Sequence, residues 1–227
     1  MQHSIIQNYI IEICFPENGK LRSRKVVKRS NARNTGKYPS WKMQRMMQWE
    51  SAHEGNAMRI LDATPNVISF SEQPCEILYV LNGVERRHYP DFIVIEGNQC
   101  ELWEVKTKSD ANSPEVADRT AFLTKALPEY GYGYRVVLAE VLAKQPRLDN
   151  IKRLNKLGRQ PISLLEQERI RRLFLNEPAI SWGIFEQQSP QILRNVSRLI
   201  LEGKLSIDFN QPINSATSIS SNFNAQH

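Results

Sequence analysis

Four short runs rich in β-branched and aromatic residues follow one another through the middle of the chain: Val67 to Phe70, Glu76 to Leu81, Arg87 to Ile95 and Glu101 to Lys106. Asn82-Gly83 and Gly97-Asn98 are turn dipeptides between neighbouring runs, so the pattern predicts strands joined as hairpins. A short strand or buried element is expected at 4–15. Residues 114–130 open on a Pro and end before Gly131, which predicts a helix, and Tyr134 to Glu140 reads as a fifth strand. Upstream, Ser40 can cap a helix over 40–62. There Met43, Met46, Met47, Glu50, Glu54, Ala57, Met58 and Leu61 recur at steps of three and four, and Pro65 follows.

After Pro146 the period becomes helical. Residues 147–158 read as a basic helix ended by Gly158. Ser163 and Glu166 form a capping-box pattern ahead of a helix to Leu175. A third helix is expected from Ser189 to Glu202, stopped by Gly203, with Lys204 to Phe209 as the strand of a small wing. The predicted fold is α/β: helix, antiparallel hairpins, helix and strand outline the core, followed by a small winged-helix-like C-terminal domain. The expected boundaries are 1–160, 161–212 and a loose Ser- and Asn-rich tail at 213–227.

Composition narrows the class. Of 227 residues, 41% are hydrophobic and 24% charged, the values of a globular domain rather than a disordered or fibrous chain. No apolar run approaches the ~20 residues of a membrane span, so no membrane is expected as a partner. The N-terminal stretch has its basic residues after its apolar ones, the reverse of a secretory signal. Cys14, Cys75 and Cys100 are too few and too scattered for a disulfide framework or a zinc site, and a cytoplasmic setting is expected. The net charge of +6 is unevenly spread. Lys20 to Trp49 holds ten Lys or Arg and no acid, on a body that is otherwise mildly acidic. Such a block seeks a polyanion, and nucleic acid is the expected one.

The chemistry concentrates on two strands. On Glu101 to Lys106 the period of two puts Leu102, Glu104 and Lys106 on one face, with Trp103 and Val105 on the other. Asp91 lies one hairpin away and can reach the same patch. Two carboxylates and an ammonium at a sheet are costly if buried unpaired, and a divalent metal removes that cost. Mg²⁺, with Mn²⁺ as a substitute, takes hard oxygen ligands and keeps several waters, so two carboxylates plus a substrate phosphate suit it. A lysine beside it can orient or deprotonate a water, or hold a phosphate oxygen. The set fits metal-assisted phosphodiester hydrolysis. Glu54, on the stripe of Ala57, Met58 and Leu61, adds a third carboxylate on a face that should be buried. The plainer reading is an ion pair between Glu104 and Lys106, a turn residue at Asp91 and a partly exposed helix acid at Glu54. His53, His88 and Gln73 lie near these residues in sequence and could be structural, and Trp49 and Trp103 read as core.

The order of a helix Glu, a strand Pro90-Asp91 and then Glu104-Val105-Lys106 resembles the PD-(D/E)xK nuclease superfamily, which implies a restriction-endonuclease-like core, a mixed sheet flanked by helices. The wider text resembles its TnsA-like endonucleases, the nuclease subunits of heteromeric transposases. It runs through Arg24-Lys25, Lys28-Arg29-Ser30, Gly36 to Ser40, Glu50-Ser51-Ala52-His53-Glu54, Ile60 to Asp62, Phe70 to Pro74, Tyr89 to Phe92 and Leu102 to Lys106. The resemblance implies that Glu54, Asp91 and Glu104 are catalytic acids holding Mg²⁺, with Lys106 as the catalytic lysine. It implies an endonuclease that nicks the 5′ ends of a mobile element in cut-and-paste transposition. The partners implied are double-stranded DNA at the transposon ends, a TnsB-like DDE transposase that acts on the 3′ ends and a TnsC-like AAA+ ATPase. Arg24, Lys25, Lys28, Arg29, Lys37 and Lys42 would then belong to a DNA-facing arm, on a protein associated with the bacterial nucleoid when active. The alternatives are a stand-alone restriction- or repair-type nuclease and a non-catalytic DNA-binding regulator.

Overall fold

The computed structural model describes residues 7–17, 22–23 and 35–223. Arg24, Lys25, Lys28 and Arg29 lie outside the described residues. The chain divides into two compact units. The first comprises the described parts of 1–39, with 46–55 and 67–142, and the second 40–45, 56–66 and 143–223.

In chain order the first part of the molecule runs β1 (Tyr9–Cys14), β2 (Gly36–Ser40), β3 (Arg45–Trp49), α1 (Ala52–Ala63), β4 (Val67–Glu72), β5 (Glu76–Leu81), β6 (Val84–His88), β7 (Phe92–Glu96), β8 (Gln99–Lys106), α2 (Lys108–Ala111), α3 (Pro114–Ala126), β9 (Gly133–Leu138) and α4 (Ala139–Leu142). A 3-10 turn at Leu127–Tyr130 follows α3. The hairpins fall where the turn dipeptides require. Asn82 and Gly83 both take positive φ between β5 and β6, the backbone of a tight two-residue hairpin turn. β1, β5 and β6 form one antiparallel sheet. The second sheet has the order β4-β7-β8-β9 and is mixed: β7 is antiparallel to both neighbours, and β9 returns parallel to β8 after α2 and α3. Such a return needs a helical crossover. A core cluster joins the two sheets of this unit. Ile10, Ile77, Tyr79 and Leu81 from the first sheet meet Leu102 and Tyr134 from the second, and Leu123 and Leu127 close it from the helical side.

The expected helix over 40–62 begins twelve residues later, at Ala52. Met43, Met46 and Met47 recur at helical steps, but Met46 is exposed and Met47 fully buried, the alternation of a strand. Ser40 does cap, but it caps a turn: its hydroxyl accepts the Met43 N–H at 2.9 Å while the chain reverses between β2 and β3. Asp62 pins that turn within the second unit. Its buried carboxylate accepts the Ser40 hydroxyl at 2.6 Å and the N–H groups of Trp41 and Lys42 at 3.2 and 3.3 Å. Removing it as Asp62→Ala strands three donors, so a loss of about 3 kcal/mol is expected. The check is a lowered urea midpoint.

The second unit continues with α5 (Arg147–Leu157), α6 (Leu164–Leu173), β10 (Ala179–Ser181), α7 (Trp182–Gln188), α8 (Pro190–Leu201), β11 (Leu205–Ser206) and β12 (Ser218–Ser221). Ser163 accepts the Glu166 N–H as the capping pattern predicts. Gly158 does more than end α5. A Cβ there would lie within 3 Å of the Ser197 and Arg198 backbone, so glycine lets α5 and α8 approach. Residues 213–223 are not the loose tail expected. Ile213 and Ile219 are buried, β12 pairs between β10 and β11, and the buried Asn150 donates to Phe209 O and Gln211 O and accepts Ile213 N–H. A polar composition hid two apolar anchors. Among the described residues, no helix is long and apolar enough to cross a membrane.

Candidate active site

Asp91 is fixed between strands. Its N–H donates to Trp103 O at 2.9 Å, and its carbonyl accepts Gln73 N–H at 2.8 Å. Its carboxylate Oδ2 accepts the N–H of Val105 at 2.7 Å. Val105 is the residue between Glu104 and Lys106, so this bond draws the Asp91 carboxylate to the stretch of β8 that carries both. The register explains why: β7 pairs Phe92 with Trp103, which leaves Asp91 beside Glu104 at the end of the ladder.

Glu104 and Lys106 share a face, as the period of two requires, with Lys106 Nζ 2.7 Å from Glu104 Oε1. Leu102, two residues earlier on that face, belongs to the core, and Glu104 is itself buried. Arg119 Nη2 from α3 also approaches Oε1, at 3.4 Å. The other carboxylate oxygen, Oε2, is buried and accepts no hydrogen bond among the described residues; His88 Nε2 lies 3.5 Å from it. Trp103 faces the opposite side, where its indole N–H donates to Glu101 and the Arg135 guanidinium stacks 4.4 Å from its ring.

Glu54 reaches the same cleft by way of a helix cap. Ser51 Oγ accepts the Glu54 N–H, and Glu54 reaches back, accepting the Ser51 hydroxyl at 2.9 Å and the Glu50 N–H at 2.8 Å. This is a variant of the Ser-x-x-Glu capping box, with Glu54 on the N–H of Glu50 rather than that of Ser51; the pattern is legible in the sequence but masked by the expectation of a longer helix. Both Glu54 oxygens therefore serve the start of α1.

These side chains line one open cleft of about 620 Å³: Glu54, Asp91, Glu104 and Lys106, with His53 exposed beside them. Burial, and after it the charges of Glu104 and Glu54, push the Asp91 carboxyl well above its usual range. Burial works against the Lys106 ammonium. Glu104 outweighs it, with a contribution from Asp91, and the lysine is held above its ordinary value. Lys106 is thus a fixed cation next to carboxylates that repel one another. Among the described residues, no three His, Cys, Asp or Glu side chains form a geometry that would hold an ion unaided.

His88 and Gln73 are both buried, His88 behind Glu104 and Gln73 against the Asp91 carbonyl. Of the two described arm residues, Lys37 is exposed, whereas Lys42 Nζ donates to Leu61 O and Thr64 O at the end of α1. Arg119 and Tyr134 complete the surroundings of Glu104, and sequence reasoning missed both. The signal for Arg119 was its place between Val116 and Leu123, the buried residues of α3. Tyr134 reads as an ordinary strand aromatic.

No match is found among curated proteins. Residues 64–139 match the family model described as TnsA-like endonuclease N terminal. The matched stretch contains Asp91, Glu104, Lys106, Arg119 and Tyr134. With Asp91, Glu104 and Lys106 of the cleft inside it and Glu54 outside, this match supports a TnsA-like nuclease with a role in transposition.

Proposed function

We propose that the chain is a Mg²⁺-dependent DNA endonuclease that nicks the 5′ ends of a mobile element, working with a DDE transposase and an AAA+ ATPase. The observation that carries this is Glu104, buried with Asp91 and Lys106 beside it in the lining of one cleft, whose carboxylate oxygen Oε2 accepts no hydrogen bond among the described residues. Such an oxygen is costly unless a cation meets it. The donor set fits Mg²⁺: two carboxylates, Asp91 and Glu104, leave room for the waters and substrate phosphate that this ion keeps. Glu54, committed to its cap, contributes negative charge across the cleft and the orientation of α1. When bound, the metal would polarise the phosphate and activate a water. Lys106, protonated beside Glu104, donates to the attacking water or to a phosphate oxygen. Asp91, tied to Val105 N–H, is fixed to within one strand of Glu104.

The C-terminal unit supports a winged-helix-like reading through its order of helix, strand, two helices and two strands in α6, β10, α7, α8, β11 and β12. The basic block at 20–49 supports an electrostatic role on the DNA backbone.

The test is cleavage of a supercoiled plasmid carrying element ends, in Mg²⁺, with and without a cognate DDE transposase. Partner-dependent nicks at the 5′ ends are expected, with Mn²⁺ able to substitute. Efficient cutting of plain DNA without the partner would replace this reading with a stand-alone nuclease. DNA binding with no cleavage under either condition would replace it with a regulator.

A further inference from the structure

Arg22 belongs to the basic block at 20–49, yet it is turned into the first unit rather than towards solvent. Its side chain keeps 16% exposure, and Nε donates to Oε1 of the buried Glu72 at 2.9 Å. Its Nη1 donates to Gln48 Oε1 at 2.7 Å, and the same Glu72 oxygen accepts the Gln48 N–H at 3.2 Å. One guanidinium thus ties residues 22–23 to β3 and β4 together. A charge committed to a buried acid in this way is not on offer to a DNA phosphate.

The next residue continues the contact towards the site. Ser23 donates twice to Gln73 O, from its N–H and from its hydroxyl, both at 3.0 Å. Gln73 is buried and has a φ of 46°, the left-handed region that a residue with a Cβ rarely takes. Such a backbone persists where its surroundings over-determine it. Here they do so from both sides. The Gln73 carbonyl is held by Ser23, and its N–H donates to Asp91 O at 2.8 Å. The register makes this the end of the ladder: β4 pairs Glu72 with Phe92, which leaves Gln73 beside Asp91. From the other side Asp91 is held by Trp103 O and by the Val105 N–H.

We propose that Arg22 is a positioning residue for Asp91: its guanidinium seats residues 22–23 on Glu72 and Gln73, and the left-handed Gln73 so held fixes the strand end that presents the Asp91 carboxylate. The proposal rests on the metal-site reading above, in which Asp91 is a ligand. It gives Arg22 an internal task inside a block whose composition points to DNA. Without the fork between Glu72 and Gln48, Ser23 loses its seat and Gln73 is at liberty to leave the left-handed region. Asp91 then keeps its carboxylate but not its place.

The experiment uses the full chain as wild type, Arg22→Lys, Arg22→Met/Glu72→Gln and Asp91→Asn. Pairing Arg22→Met with Glu72→Gln leaves no unpaired buried carboxylate and keeps an oxygen for the Gln48 N–H, so the fold is expected to survive. Arg22→Lys keeps the charge and loses the planar fork. Three quantities are measured: amide exchange at Gln73 and Val105, both bonded to Asp91; Mn²⁺ affinity by calorimetry without DNA; and the salt dependence of DNA binding. Both Arg22 variants are expected to exchange faster at Gln73 and Val105, with the mid-strand amides of β7 and β8 unchanged. Mn²⁺ affinity should fall about tenfold, the usual cost of losing a partner behind a ligand. The salt slope of DNA binding should stay as in the wild type. Faster exchange throughout the sheet would mean a general loss of stability and overturns the proposal. A salt slope lower by about one makes Arg22 a phosphate contact instead. Wild-type exchange and Mn²⁺ binding in Arg22→Lys would show that the fork holds nothing. Asp91→Asn separates the two levels. If it binds Mn²⁺ as the wild type does, the metal-site reading has failed and takes the proposal with it. If it loses the ion while Arg22→Met/Glu72→Gln binds at wild-type affinity, only the role of Arg22 falls.

Discussion

Replacing Asp91 with Asn is expected to lower DNA cleavage by on the order of 10³-fold and to raise the thermal midpoint of the metal-free protein. The first effect follows from removing one of two carboxylates that would hold Mg²⁺ against the substrate phosphate. The second follows from what that carboxylate costs without a cation. Asp91 is pushed up first by burial and then by Glu104 and Glu54, and the Val105 N–H and Lys106 only partly offset them. An acid whose folded-state value is raised binds its proton more tightly in the native protein. Below about pH 4, the usual carboxyl range, it is protonated in both states and costs nothing. As pH rises, the unfolded chain ionises first, and stability falls until the folded-state value is passed. Asn has no such penalty, and its amide oxygen can still accept from Val105 N–H. Melts of metal-free protein should therefore show the variant ahead at pH 8 and level with wild type near pH 4. Added Mn²⁺ should reverse the order at pH 8 by stabilising the wild type alone. Cleavage at wild-type rate, or a lower midpoint at pH 8, would sink the assignment of Asp91.

The part of this site that could be read in advance is the part governed by local geometry. Glu104 and Lys106 share a face because strand side chains alternate, and Asp91 meets them because a hairpin turn at Gly97 sets the β7–β8 register. Both facts are contained in some twenty consecutive residues. Glu54 was found for a reason the structure replaces: it reaches the cleft from the first turn of a helix that starts at Ala52, held there by Ser51. The methionines at 43, 46 and 47 fit a helical period by coincidence, and the turn between β2 and β3 depends on Asp62, some twenty residues downstream. Propensity could not weigh that bond. Arg119 and Tyr134 depend on the crossover through α3 that brings β9 back parallel to β8, and no local pattern encodes which strand face a returning tyrosine will meet.

Lys106→Met isolates the step that the carboxylates do not perform. Lys106 reaches Glu104 Oε1 at 2.7 Å, and its side chain keeps about a third of its exposure, towards the cleft. Burial opposes its charge, but Glu104 and then Asp91 hold it protonated. A lysine in that state is a donor, not a base. It can hold a phosphate oxygen or the attacking water while charge builds on the phosphate, and a fixed donor of this kind is worth roughly 10²–10³ in rate. Loss of cleavage by that factor is expected in Lys106→Met. Mn²⁺ binding should survive or tighten, because a cation competing for Glu104 has been removed. Two measurements then distinguish Lys106 from Asp91. In calorimetry Asp91→Asn loses the ion and Lys106→Met keeps it. In the pH dependence of cleavage by the wild type, Lys106 adds no inflection through neutral and mildly alkaline pH, since its proton stays on. If Lys106→Met loses Mn²⁺ as well as cleavage, the lysine serves to hold Glu104 in place, and its action on the substrate is disproved.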